Sequence, residues 1–277
     1  MAATPRVRPA RDADLDLLAE VYERASFNPR LAAVDRFARA SLGGGVFVAE
    51  RDGDLVGVSG CAHFGATGWV GGVAVVPEAR RAGLGRALTE AAIAWLQERG
   101  AGTIQLYATD LGRPVYERLG FVAEGACVTL GGPWQPGWRP AGVRAARADD
   151  LQPALAVDRD ATGEDRAALL ASLWTESALV AEAGGEVRGY HLPSPWRPTG
   201  ATVAADLSSG LALIEVTGGR LNGADLSLSI PDGNAPAIRA LEARGQAERS
   251  RATRMRLGPP LPWRPSAIFS TFNLFWG

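Results

Sequence analysis

Apolar residues along this chain alternate between short unbroken runs and stripes at helical spacing. Val7-Arg8-Pro9-Ala10 reads as an opening strand. A helix follows from about Asp12, with Asp12 as its cap and Leu15, Leu18, Ala19 and Tyr22 as its buried stripe. A second helix over 31–41 carries Leu31, Val34, Phe37 and Ala38 and ends in Gly43-Gly44-Gly45. Val46–Glu50 and Leu55–Val58 flank Asp52-Gly53, a dipeptide whose backbone freedom suits a tight hairpin. A strand holding Cys61 and His63 leads through Gly65 and Trp69 to the β-branched run Val73-Ala74-Val75-Val76. Pro77 stops that run, because proline has no N–H for a sheet ladder. From Leu84 the apolar positions (Leu84, Leu88, Ala91, Trp95) are helical again, as far as Gly100. Thr103–Ala108 predicts a strand, Thr109–Leu119 a helix with Pro114 tolerated in its first turn, and Phe121–Leu130 a further strand.

The pattern then restarts. Residues 131–141 are rich in Gly, Pro and Trp and read as a linker, in which Trp134 and Trp138 are costly to leave in water. Val143–Leu151 lines up with Val7–Leu15, six of nine residues being identical. Gly185–Tyr190 echoes Gly53–Val58, and Asn234–Gly245 echoes Thr109–Gly120. Three matches in one order predict an internal repeat. The expected division is a first domain over 1–130, a linker over 131–141 and a second domain over 142–277.

Between the run ending at Val76 and the helix starting at Leu84 lies Arg80-Arg81-Ala82-Gly83-Leu84-Gly85. Two residues without Cβ at a helix start let backbone N–H groups close on a bulky anion, and the helix dipole and the arginines favour the same charge. A Walker loop would need Gly-Lys-Ser/Thr and a dinucleotide fingerprint three glycines, and neither is present here. The strand, turn and helix together resemble the acetyl-CoA-binding motif of the GNAT superfamily of N-acyltransferases, Gln/Arg-x-x-Gly-x-Gly/Ala. Tyr116-x-x-x-Gly120-Phe121 resembles that family's second signature.

The resemblance implies an α/β (α+β) protein with two tandem GNAT folds, each a mixed, mostly antiparallel splayed sheet flanked by helices. It implies acetyl-CoA as co-substrate, without distinguishing it from other acyl-CoAs. The expected cofactor contacts are Val73, Ala74, Val75, Arg80, Arg81, Ala82, Gly83, Leu84, Gly85 and Arg86, with Tyr116 as general acid to the leaving sulfur. A backbone N–H of the central strand would polarise the thioester carbonyl. No carboxylate stands in Trp69–Gly72, where many relatives have a base; His63, Tyr107, Asp110 or a water are the candidates left. Asp110 also reads as a helix cap. In the second copy, 201–219 holds no Arg/Gln-x-x-Gly-x-Gly; Leu241 stands for Tyr116 and Gln246 for Phe121. That copy is expected to be degenerate and structural.

Composition removes several classes of partner. The apolar fraction is 47% and the net charge −1, with all 29 basic residues arginine. The charge is even along the chain: 14 Arg against 15 acids over 1–130, and 15 against 15 after it. Neither nucleic acid nor an anionic membrane is the expected partner. Cys61 and Cys127 make neither a disulfide framework nor a metal set, and each is expected as a small buried thiol. The start has no apolar signal core and Ala267–Trp276 is too short to span a bilayer, so a cytoplasmic protein is expected. The reading is acetyl-CoA-dependent N-acetylation of a small-molecule amine. Its alternatives are a protein or peptide amine as acceptor, or a non-catalytic acyl-CoA-binding regulatory module.

Overall fold

A computed structural model describes residues 5–135, 137, 140–197, 199–221 and 224–277; Trp138 and Met1–Thr4 lie outside them. The chain forms two compact units. Unit 1 comprises Met1–Val122, Met255–Pro259 and Trp276; unit 2 comprises Ala123–Arg254, Pro260–Phe275 and Gly277.

Unit 1 runs β1 (Arg6–Pro9), α1 (Asp12–Leu15), α2 (Leu18–Arg24), α3 (Leu31–Ser41), β2 (Gly45–Arg51), β3 (Asp54–Phe64), β4 (Thr67–Val75), α4 (Leu84–Gln97), β5 (Thr103–Ala108) and α5 (Arg113–Arg118). Its strands lie in the order β1-β2-β3-β4-β5, antiparallel except for the parallel pair β4/β5. The Asp-Gly turn joins β2 to β3, and the two strands expected after it are one long strand. Apolar residues cover both faces. Leu18, Val21 and Tyr22 of α2 meet Val46, Val48, Val58 and Ala74 on one side. Leu84, Leu88 and Leu96 of α4 meet Val70, Ile104 and Leu106 on the other. Burying each such side chain contributes roughly 1.5–3 kcal/mol. Met255 and Leu257 complete this second layer, and the Thr103 hydroxyl donates to the Pro259 carbonyl at 2.8 Å.

Unit 2 runs β6 (Val122–Pro133, from Ala123 on), β7 (Val143–Ala145), α6 (Leu151–Thr162), α7 (Ala167–Leu173), β8 (Leu179–Ala183), β9 (Glu186–Leu192), β10 (Ala201–Ala204), α8 (Leu207–Gly219), β11 (Asp225–Pro231), α9 (Ala235–Glu242), β12 (Ala247–Leu257, as far as Arg254) and β13 (Ile268–Ser270). One group of strands lies in the order β13-β10-β9-β8-β7, and β6 stands between β12 and β11. β6 runs three residues into the segment expected as linker, because Gly131–Pro133 keep pairing with Asp225–Ser227 of β11. Trp134 follows it into the core of unit 2, under the Arg244 guanidinium at 4.4 Å.

The repeat is written in hydrogen bonds as well as in sequence. Arg8 grips Asp14 with both terminal nitrogens, and its Nε donates to Glu50 at 2.8 Å. Arg144 does the same to Asp150 and Glu182. Asp14 and Asp150, not Asp12, then accept from the Arg11 and Arg147 amides.

Candidate active site

Strand β4 holds the centre of the site. Its register with β3 slips between Val58↔Ala74 and Gly60↔Gly71, which leaves one extra residue on β4 at Gly72. Gly72 has φ +62°, a left-handed conformation that costs glycine little. Beyond the bulge Val73 and Val75 pack toward α4 and Ala74 toward α2. On its other edge β4 pairs with β5 only over Thr67↔Thr103, Gly68↔Ile104 and Trp69↔Gln105. Both strands continue past that point, so they splay. The Trp69 and Tyr107 rings stack where they part, 5.3 Å between centroids.

The turn after β4 delivers the chain to α4 with its first amides uncapped. Pro77–Ala79 is one 3-10 turn; Arg81 and Gly83 are left-handed, φ +63° and +78°. Gly83 is the N-cap residue of α4, and no side chain caps that helix. Nothing stands within 4 Å of where a Cβ at Gly83 or Gly85 would lie. Arg81 and Ala82 are exposed beside this open space, while the Leu84 side chain turns into the core. Arg80 is otherwise engaged: its Nε donates to the Val75 carbonyl and its Nη2 to that of Ala25, both at 2.9 Å. It fastens the turn to β4. Arg86 pairs along the helix surface with Glu90 at 2.9 Å.

Tyr116 lies on α5, half-buried, with its ring edge-on to Phe121 at 6.0 Å. Burial pushes its phenol up to about 12, so it keeps its proton through the neutral range. Its hydroxyl has no protein partner among the described residues. The candidate bases are scattered. His63 Nε2 is 3.1 Å from the Arg99 carbonyl, Tyr107 is stacked as above, and Asp110 is exposed. Asp110 does not cap α5: Gly112 is the N-cap residue, and its amide bonds to Thr109, whose carbonyl and hydroxyl oxygens lie at 3.0 and 3.3 Å. One buried acid close to β4 went unread in the sequence. Asp35 on α3 is 1% exposed, and its Oδ2 lies 2.5 Å from the Tyr22 hydroxyl oxygen.

Unit 2 fills each corresponding opening with its own chain. The α8 N-terminus is capped by Asp206, which accepts from the Ser209 amide at 2.9 Å and from the Ser208 hydroxyl. β10 does not pair with β11. Between them lies β13, paired with β10 through Thr202↔Ser270 and Val203↔Ile268. The Thr271 amide bonds to the Ser229 carbonyl of β11 at 2.9 Å. Phe269 is fully buried against Gly210, where a Cβ would come within 2.3 Å of its ring. Leu241 is buried in the apolar core of this unit.

Comparison with known proteins fits this geometry. An acetyltransferase (GNAT) family model matches residues 14–121, and an acetyltransferase (GNAT) domain model matches residues 154–270. The chain therefore belongs to the GNAT family, with two copies of the domain in tandem. A curated relative, the mycothiol acetyltransferase of Thermomonospora curvata, is 42% identical over 81 residues, 28% of this chain and 27% of that protein. The match spans little more than a quarter of that relative's length. A crystal structure of a candidate acetyltransferase from Pyrococcus horikoshii shares the fold over 99% of this chain and 96% of its own, with a TM-score of 0.85 at 19% identity. A tandem GNAT protein from the clavulanic acid biosynthesis pathway does so over 92% and 99%, at 0.66 and 17%. No helix among the described residues is long and apolar enough to cross a membrane, and no described cluster of His, Cys, Asp or Glu could hold a metal ion.

Proposed function

We propose that the protein transfers an acetyl group from acetyl-CoA to a small-molecule amine, that its first copy (1–130) carries the site, and that its second (142–277) is degenerate. One observation carries this reading. The splay between β4 and β5 and the uncapped start of α4 occur together in unit 1, and both openings are filled in unit 2. The residues present fit the cofactor: two glycines, open space above them and unpaired amides suit a diphosphate at a helix start.

When bound, acetyl-CoA supplies the activated acyl group as a thioester. The backbone of Ala82–Arg86 would hold the diphosphate, with Arg81 adding charge and Arg80 keeping the turn in place. The backbone of Val73–Val75 would run beside the pantetheine arm. A backbone N–H at the bulge would supply a hydrogen-bond donor to the thioester carbonyl. The Tyr116 hydroxyl, protonated in the neutral range, would supply the proton for the CoA sulfur. The amine must arrive neutral, and with no carboxylate on β4 at Trp69–Gly72 its proton would leave through water or through one of His63, Tyr107 and Asp110. The name of the relative from Thermomonospora favours a small molecule over a protein as acceptor. A cytoplasmic setting, where acetyl-CoA is made, suits this activity.

Incubation of the purified protein with acetyl-CoA and a varied amine panel, followed by free-thiol release, tests the proposal. Amine-dependent thiol release is expected. Tight acetyl-CoA binding with no release for any amine would instead favour a regulatory acyl-CoA-binding module.

A further inference from the structure

Two oxygen–oxygen contacts meet at the phenol of Tyr22. Its Oη lies 2.5 Å from Asp35 Oδ2 and 3.2 Å from the carbonyl oxygen of Gly72, the bulge residue of β4. A full hydrogen bond at each contact takes two hydrogens, and the phenol brings only one. A carbonyl has none to give. The second must come from the carboxyl, so we infer that Asp35 keeps a proton up to the neutral range and that a relay, Asp35 O–H to Tyr22 O–H to Gly72 C=O, fixes the β4 bulge. Asp35 and Tyr22 are thereby positioning residues, and this part of the inference rests on the acetyl-transfer reading above.

The surroundings agree with the count of hydrogens. Asp35 and Tyr22 are 1% and 0% exposed. No cation makes a hydrogen bond or ion pair to Asp35 among the described residues. Facing it are Tyr22 from α2 and Cys61 from β3, with Arg36 on its own helix giving its Nη1 to the Leu15 carbonyl at 2.8 Å. β2 and β4 present apolar Val46, Val48 and Ala74 to this layer. Burial raises the carboxyl to about 7 and pushes the Tyr22 phenol well above its ordinary value, so the phenol remains a donor. β3 approaches this closely only because residue 60 is glycine: a Cβ there would stand 1.9 Å from Asp35 Oδ1.

Unit 2 supplies the contrast. In the register that pairs Arg8 with Arg144, Asp158 takes the place of Tyr22. There the buried carboxylate receives Nε and Nη2 of Arg166 at 3.1 and 2.6 Å, as well as the Tyr190 hydroxyl. Arg166 answers that carboxylate with charge-assisted hydrogen bonds, and Asp35 receives none from a cation among the described residues.

Infrared difference spectra of the whole protein against Asp35→Asn test the relay without reference to activity. A protonated-carboxyl band should be present at pH 6, absent in the variant, and lost as pH rises through about 7. Hydrogen exchange at the Val73 and Ala74 amides should quicken over the same range in the wild type and stay flat in Asp35→Asn, whose amide N–H can replace the acid O–H. Tyr22→Phe should show the fast exchange at every pH. With an accepted amine, the wild-type rate should lose an alkaline inflection when Asp35 becomes Asn, with KM little changed. Absence of the band at pH 6, or pH-independent exchange in the wild type, overturns the relay. Equal pH–rate profiles for wild type and Asp35→Asn overturn the positioning role. A band that titrates as expected in a protein that acetylates nothing keeps the relay and removes the acetyl-transfer reading.

Discussion

The gap beside β4 in unit 1 and the gap beside β10 in unit 2 begin from the same chain order and end with different contents. In unit 1, β4 and β5 part after three pairs and α4 begins on uncapped amides. In unit 2, β13 is laid between β10 and β11, Phe269 presses on Gly210, and Asp206 satisfies the start of α8. The helix starts and turns after β5 and β11 follow one plan. The turn into α5 is held by Thr109 and the start of α9 by Asn234, and the amides of Phe121 and Gln246 both bond at 3.1 Å to the carbonyls of Tyr116 and Leu241. Helix and turn geometry therefore persist in both copies. The edges that a ligand would satisfy differ, because an unpaired strand edge or helix start inside a fold has to be paired with something.

The strongest test of this contrast removes the filling. Phe269→Ala should destabilise unit 2 by about 3–5 kcal/mol in urea unfolding, the usual cost of deleting a fully buried phenyl ring. Titration calorimetry should still give one acetyl-CoA per chain, since α8 has no glycine cradle. A second site in this variant would mean that unit 2 is blocked and not degenerate.

Tyr116→Phe comes next. It keeps the ring on Phe121 and removes the proton donor, so turnover should fall by about 10²-fold or more with acetyl-CoA binding nearly unchanged. Leu241→Phe, at the matching position of unit 2, is the control and should leave turnover intact. Equal small effects would take Tyr116 out of the mechanism. Gly83→Val is a smaller change. A branched residue at φ +78° is strained by roughly 1–3 kcal/mol and narrows the open space at α4, so acetyl-CoA affinity should drop about tenfold or more in a folded protein. Unchanged affinity would make this turn a mere connector.

The smallest effect concerns what the units share. The Arg8 guanidinium holds the Asp14 carboxyl below the usual range, and Arg144 does so for Asp150. A depressed carboxylate adds stability above its unfolded pKa of about 3.9 and loses it as pH falls through the folded value. Asp14→Asn and Asp150→Asn should each cost about 1–2 kcal/mol at pH 7 and progressively less below pH 4. Asp35 runs the other way, because its raised carboxyl removes stability as pH climbs from about 4 to about 7. Stability curves for the three Asn variants that bent in one direction would break this assignment.

Much of the fold could be read from local signals. The Asp-Gly hairpin, the α4 stripe and the repeat at Val143–Leu151 are set by residues a few positions apart, where periodicity and turn chemistry act. What was illegible depends on distant partners. Nothing near Asp35 in sequence separates it from an ordinary polar helix residue; its meaning comes from Tyr22, Gly60 and Gly72. Arg80 looked like a phosphate ligand, and only the carbonyls of Val75 and Ala25 give it a prior use. Ile268–Ser270 looked like a plain apolar tail segment, and no short-range rule places it beside β10.

The membership of Met255–Pro259 in unit 1 bears on how the protein is made. Met255 is fully buried in the α4 layer, yet it is translated long after Val122. At about 5–20 residues per second, a ribosome needs about 7–27 s to cover that interval. During that time the nascent first copy lacks the residues that finish its core. It must therefore wait, partly open and within reach of chaperones, until nearly the whole chain has emerged.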